Sequence, residues 1–306
     1  MLLPSYRKSL DDGRLAASLR EAWRRLRSCE LCPRRCRVDR LWGERGFCRT
    51  GRRARVGSAG PHFGEEAPLV GPPGTGGSGT VFFSGCNLLC RFCQNWELSW
   101  EGDGREVAPS ELARTFLALE RGGCHNVNLV TPSHVVPQIL AAVALAARRG
   151  LAIPLVYNSS GYDAVETLRL LDGVVDVYMP DLKWASPEVG ERLAAAPDYG
   201  DVAREAVREM HRQVGDLVLD ERGVAVRGLL VRHLVMPGGL AGTREVMAFL
   251  AREISPHTYV NVMAQYRPVG DARELPPLDR RVTRAEHAQA LAEARRAGLR
   301  RIDGLA

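Results

Sequence analysis

The chain of 306 residues has no apolar run approaching the ~20 residues of a membrane-spanning helix. Its longest apolar stretch, around Val135–Ala147, contains Pro137 and Gln138 and ends at Arg148-Arg149. The opening MLLPSYRKSL has no basic segment leading into an apolar core, so no secretory signal is expected and the expected compartment is the cytoplasm, without a membrane partner. Lysine is nearly missing: Lys8 and Lys183 are the only two, and the other cations are arginines. Cysteine is missing after Cys124. A disulfide framework spreads its bridges through the chain and needs an oxidising compartment, so this distribution argues against one. The Gly/Pro-rich stretch 71–79, GPPGTGGSG, lacks a Gly-Lys-Ser/Thr ending and any nearby lysine. That argues against a phosphate-binding loop and for a flexible turn leading into a strand.

What is present is the balance of an ordinary globular protein, with 45% hydrophobic and 25% charged residues. Net charge is 42 − 36 = +6. The one arginine-dense stretch, Arg24–Arg55, suits a solvated or partner-protein surface better than a nucleic-acid site. A nucleic-acid partner is not expected.

The cysteines carry most of the information. Cys86, Cys90 and Cys93 form a C-x3-C-x2-C triplet. At this cysteine frequency chance would give roughly 0.005 such triplets in a chain of this length. Three thiolates on a short loop can hold three irons of a cubane cluster, leaving the fourth iron open for chemistry. Zinc would want a fourth ligand and fits less well. Upstream, Cys29, Cys32, Cys36 and Cys48 fall within 20 residues, among prolines, arginines and glycines with little apolar material. They suit a second metal site, with free thiols as the alternative, and their spacing does not choose between zinc and a second Fe–S cluster. Cys124 stands alone and reads as a small buried hydrophobe.

After residue 79, strand and helix patterns alternate. Strands are expected at Thr80–Ser84, Asn126–Val130, Ile153–Tyr157, Val174–Met179, Gly228–Met236 and Tyr259–Met263. Helices are expected at Leu15–Leu26, Pro109–Arg121, Val135–Arg149, Asp163–Leu171 (with a side chain such as Asp163 as cap), Pro187–Ala195, Val202–Val214, Thr243–Arg252 and Arg284–Ala297. Six β-α units with Val/Ile/Leu-rich strands predict an α/β fold with a parallel sheet buried on both faces. The pattern alone leaves a partial barrel and a doubly wound sheet as rivals. The strand ends are unusually polar: Thr131-Pro132-Ser133-His134, Asn158-Ser159-Ser160-Gly161, Asp181-Leu182-Lys183, Arg232-His233 and Gln265-Tyr266-Arg267. In β/α barrels, strand C-termini build the active site. His134 and His233 read as site residues or as hydrogen-bonded barrel histidines.

The C-x3-C-x2-C motif, with aromatic Phe92 before its third cysteine, resembles the signature of the radical S-adenosylmethionine (radical SAM) superfamily. That resemblance implies a partial (β/α)6 barrel with the cluster loop after its first strand, here preceded by a small N-terminal Cys-rich module. It divides the chain into the module at 1–70, the core at 71–270 and a C-terminal helical segment at 271–306 packing on the barrel. It implies a 4Fe–4S cluster on Cys86, Cys90 and Cys93 and SAM as cofactor. Reductive cleavage of SAM would yield a 5′-deoxyadenosyl radical that abstracts hydrogen from a substrate. A reduced flavodoxin or ferredoxin is the implied electron donor. The SAM-binding candidates are Asn158, Ser159, Asp181, Lys183, Arg232 and Gln265. The stretches 29–48, 79–95, 126–134, 157–162 and 228–237 are similar to uncharacterised relatives of pyruvate formate-lyase activating enzyme. This implies an oxidoreductase like the glycyl-radical activases, whose substrate the residues leave open among a protein or peptide, a cofactor precursor and a nucleic acid. One departure stands out: activases carry a Gly-Gly-Glu-type turn where this chain has Leu129-Val130-Thr131-Pro132. The different-class alternatives are a non-catalytic Fe–S electron-transfer protein and a zinc-stapled nucleic-acid-binding module.

Overall fold

The computed structural model describes residues 3–304. In chain order the elements are α1 (Ser5–Asp11), α2 (Arg14–Arg24), β1 (Ala54–His62), α3 (Ala67–Val70), β2 (Ser78–Phe83), β3 (Arg105–Val107) and α4 (Pro109–Arg121). There follow β4 (Val127–Val130), α5 (Val136–Ala147), β5 (Leu155–Ser159), α6 (Val165–Leu168), β6 (Val177–Pro180), α7 (Pro187–Ala194) and α8 (Tyr199–Val214). The chain continues with β7 (Val218–Leu219), β8 (Ala225–Leu234), α9 (Thr243–Phe249), β9 (Tyr259–Met263), α10 (Arg284–Ala297) and β10 (Arg301–Asp303). Among the described residues no helix is long and apolar enough to cross a membrane.

One sheet organises these elements, in the order β10-β9-β8-β6-β5-β4-β2-β1-β3, with β7 added on β8. From β2 to β10 every neighbouring pair on that path is parallel. The six expected strands are β2, β4, β5, β6, β8 and β9, and β10 extends the parallel run beyond α10. The sheet is not closed, since β3 and β10 are its two edges. The fold is thus an α/β partial barrel. The antiparallel pair β1–β2 and the short β3 were not expected from the pattern. Gly57, Gly60 and Pro61 dilute the apolar alternation of β1, and four of its residues are exposed.

Side-chain alternation along each strand divides the interior in two. Leu129, Tyr157, Tyr178, Val231 and Val262 face out into the large core shared with the helices. Val156, Val177, Met179 and Leu230 face in and meet Leu69 of α3, which plugs the lumen. Nearer the strand ends the inward positions turn polar, so apolar packing fills only part of the lumen. α4 matches its expected span, starting at Pro109 with Glu111 reaching back to the Ala108 N–H, and α10 is capped by Thr283 and Glu286.

The expected cap at Asp163 is corrected. Ala164 occupies that position without a side-chain bond. Asp163 is instead buried and accepts hydrogen bonds from Tyr157 Oη (2.9 Å) and Ser159 Oγ (2.6 Å). It ties strand β5 to the turn that follows. Burial raises its pKa, and those hydroxyls oppose the shift. Replacing Asp163 with Ala leaves two buried hydroxyls unsatisfied, at about 1–3 kcal/mol each. Equilibrium urea unfolding should therefore show D163A destabilised by roughly 3 kcal/mol.

Candidate active site

The loop after β2 carries Cys86, Cys90 and Cys93 onto the C-terminal side of the parallel strands. A positive φ at Leu89 (50°) turns it tightly between the first two cysteines. Sulfur atoms on this loop are hydrogen-bond acceptors. The backbone N–H of Leu88 donates to Cys86 Sγ (3.4 Å) and Ser99 Oγ donates to Cys93 Sγ (3.2 Å). Asn87 anchors the loop by donating to the Tyr162 carbonyl (2.6 Å), and Trp100 Nε1 donates to the Cys90 carbonyl (3.2 Å). Phe92 is buried against Trp184 and Tyr266, with ring centroids 5.9 and 6.1 Å away. Burial pushes the Cys86 and Cys90 thiols up, while the Lys183 ammonium pulls both down. Both therefore carry protons near neutral pH until a metal displaces them.

This donor set fits an iron–sulfur cluster. It offers three thiols on one loop, with N–H and O–H donors already aimed at two of the sulfurs. Among the described residues no three His, Cys, Asp or Glu side chains crowd round one ion-sized point. A cubane does not require that, because each thiolate takes a separate iron.

Beside the loop the strand ends assemble a chain of charge. Lys183 Nζ lies 2.5 Å from Asp181 Oδ2, and Arg232 Nε donates to Asp181 Oδ1 at 2.8 Å. Arg232 Nη2 donates to Asn158 Oδ1 (2.8 Å), and Nη1 stands 3.8 Å from Glu65 Oε2. Burial alone would raise the pKa of Asp181, yet Arg232 and Lys183 together hold it below the usual carboxylate range. Burial would likewise lower Lys183, and Asp181 reverses that. This corner can hold an anion and a cation side by side.

The other candidates fall into different settings. The Ser159 hydroxyl is engaged by Asp163 and accepts from the Gly161 N–H (3.1 Å), on the face of β5 opposite Asn158. Gln265 lies beside the cluster loop, where Gln94 Nε2 donates to its carbonyl (3.3 Å). His233 is fully buried, with Nδ1 at the Leu182 carbonyl (2.7 Å) and Nε2 at Thr243 Oγ1 (2.9 Å), which is the setting of a barrel histidine. His134 is buried with Nε2 at the Ser84 carbonyl (3.0 Å). Burial lowers the pKa of both histidines to about 4, so both are neutral at pH 7. Cys124 is buried in the main core, as expected.

Sequence reasoning missed the groups beneath the charge chain. Glu65 and Glu66 come from the turn between β1 and α3, outside the six units. Glu66 Oε1 accepts from Asn261 Nδ2 (3.1 Å), and burial raises the pKa of Glu65. Glu66 Oε2, Asn128 Oδ1 and Asn158 Nδ2 are buried without a partner among the described residues. Asn128 and Asn261 were discoverable as polar residues at inward positions of apolar strands. Nothing local marks the two glutamates.

Asp181→Asn would leave Arg232 and Lys183 without their counter-charge. Breaking such a pair costs about 3 kcal/mol. The depressed native pKa of Asp181 sets the pH dependence. Its contribution is fully present above the unfolded carboxylate value near ~3.9 and is lost only as pH falls through the lower native value. Denaturant titrations of wild type and D181N should differ by that amount from pH 7 down to about 4 and converge below it.

Residues 80–224 match the Radical SAM superfamily. Over 273 residues the chain is 36% identical to an uncharacterized protein of Methanocaldococcus jannaschii, covering 87% of this chain and 73% of that protein. A crystal structure of methylornithine synthase overlays on 74% of this chain and 70% of that one, with 14% identity and a TM-score of 0.44. The superfamily match spans the cysteine loop and the strands that carry Asn158, Asp181 and Lys183, and with it the protein belongs to the radical SAM superfamily.

Proposed function

We propose that the protein cleaves S-adenosylmethionine reductively and directs the resulting radical at a protein or peptide substrate, in the manner of the glycyl-radical activases. The observation that carries the SAM-cleavage part of this reading is the Lys183–Asp181–Arg232 chain standing beside the Cys86–Cys93 loop, while the substrate class rests on the sequence resemblance. SAM brings a carboxylate, an ammonium and a sulfonium, and only a site with both signs of charge can orient it. Lys183 and Arg232 suit the carboxylate, and Asp181 suits the ammonium or the ribose hydroxyls. Asn158 keeps a buried Nδ2 donor free for a ligand acceptor. Gln265 flanks the loop from β9. Ser159 contributes by holding the β5 turn, with its hydroxyl committed to Asp163.

Cys86, Cys90 and Cys93 would hold a 4Fe–4S cluster, which when bound would supply the electron for that cleavage, with a reduced flavodoxin or ferredoxin as the expected donor. The chain's own work is to orient SAM and keep water from the radical. The buried aromatic wall of Phe92, Trp184 and Tyr199 serves the second task. No general base is needed, which agrees with two candidate histidines that stay neutral and hydrogen-bonded at pH 7.

The test is anaerobic. The protein is reconstituted with iron and sulfide, reduced with dithionite and given SAM, and 5′-deoxyadenosine is quantified. Wild type should form it and Cys90→Ala should not. Lys183→Met and Asp181→Asn should each bind SAM about tenfold more weakly, the scale of one lost charge-assisted contact. A cluster that forms while SAM stays intact, with no SAM-dependent change in the reduced cluster's spectrum, would instead identify an electron-transfer protein.

A further inference from the structure

The segment from Cys29 to Thr50 is the part of the chain that ordinary packing explains least. It contains one short 3-10 turn, Arg40–Trp42, and no strand or α-helix. Its apolar support is a cluster of Leu26, Cys29 and Leu31 with Trp23, Val38 and Leu41 partly buried around it. Such a segment has too little core to fix its own conformation. Yet it holds Arg35, Arg37 and Arg49 at positive φ (41°, 57° and 56°), a region disfavoured for residues with a side chain.

Each of these strained residues lies beside a cysteine, and each of the four sulfurs has an N–H donor. The backbone N–H of Arg34 faces Cys32, and that of Thr50 faces Cys48. The Phe47 N–H donates to Cys36 Sγ (3.3 Å), and Arg40 Nη1 approaches Cys29 Sγ at 3.7 Å. Gly46 is pressed against Cys36 so closely that a Cβ there would stand 2.7 Å from its sulfur. None of the four forms a disulfide, and Cys29, Cys32 and Cys48 are buried. N–H groups aimed at each sulfur from strained turns are the outer-shell arrangement that orients sulfur ligands on a metal.

The same segment grips the SAM-cluster loop. Arg34, two residues after Cys32, donates from Nε to the Asn87 carbonyl (2.9 Å) and from Nη2 to the Ala194 carbonyl (2.7 Å). Its Nη1 reaches the Ala195 carbonyl (2.5 Å) at the end of α7. Its guanidinium lies 3.8 Å from the Phe47 ring centroid and 5.2 Å from that of Tyr162. Asn87 directly follows Cys86. On the other side, a Cβ on Gly85 would stand 2.5 Å from the Cys48 carbonyl. The two cysteine groups therefore share a wall.

We propose that Cys29, Cys32, Cys36 and Cys48 hold a second, fully protein-ligated metal centre, and that its Cys32 turn presents Arg34 as the lock that positions the SAM-cluster loop. The shared chemistry is four-thiolate ligation; among the described residues no three of these sulfurs stand round one ion-sized point, so an iron–sulfur cluster, each thiolate taking a separate iron, suits them better than zinc. Four protein ligands leave no open position, so the centre would bind no substrate. The metal assignment stands apart from the SAM reading, and the locking role rests on it.

Two measurements test this. The first uses the full-length triple variant Cys86→Ala/Cys90→Ala/Cys93→Ala, prepared anaerobically, reconstituted with either zinc or iron plus sulfide, and assayed for bound metal. It should keep about one zinc or about four irons per chain, and the metal retained tells the two apart. A folded triple variant that holds neither overturns the metal site, whatever the protein does with SAM. The second uses Arg34→Met with Cys86, Cys90 and Cys93 intact. It should keep its upstream metal while SAM, followed by its perturbation of the reduced cluster's electron paramagnetic resonance spectrum, binds about tenfold more weakly. Arg34→Lys should recover part of that loss. Unchanged SAM affinity in R34M overturns the lock.

Discussion

Strand register is the constraint on which this molecule depends. Side chains alternate across a strand, so a slip of one residue would exchange the inner and outer faces. In the register observed, Asp181 bridges to Arg232 and Arg232 stands opposite Asn261, while Val130 pairs with Asn158 and Asn158 with Met179. That alignment puts Asn158, Asp181 and Arg232 on the lumen side of three adjacent strands. It also sends Leu129, Tyr157 and Val231 outward to the helices. The same apolar burial that stabilises the sheet thereby holds the polar corner in place.

The corner is costly by itself. Charged groups lose hydration on burial and repay it only with close, well-aligned partners. Lys183, Asp181 and Arg232 meet that condition as a chain of alternating sign, and Glu65 extends it more loosely at 3.8 Å from Arg232, its pKa still raised by burial. Neutral groups beside it are treated differently. His233 has both nitrogens occupied and acts as a rigid spacer between β8 and α9, whereas Asn128 and Asn158 each keep a polar atom without a partner among the described residues.

Much of this could be read from the residues in order. Period-two strands and period-3.6 helices mark the six β-α units because each buries a full apolar face. The cysteine loop and Asp181-Leu182-Lys183 are local in sequence and so were visible. The groups that escaped are those whose role is set by distant contacts. Asp163 looks like a helix cap, but Tyr157 and Ser159 compete for it and win. Glu65 reads as a surface residue after Gly64, and its meeting with Arg232 spans more than half the chain. Arg34 is one arginine among many in a basic stretch, with nothing to mark it until the Asn87 carbonyl lies within its reach. β1 escaped because its glycines and proline blur the alternation on which strand recognition rests.

The scarcity of lysine has a chemical consequence at the corner. Lys8 is exposed on α1, whereas the Lys183 ammonium is clamped on Asp181 in a side chain only 16% exposed. The chain therefore has just two side-chain amines, one open to solvent and one held in an ion pair. Acylating reagents, which require a free-base amine, distinguish them without any mutation, so the molecule carries its own reporter of whether the ion chain around Asp181 is closed or opened.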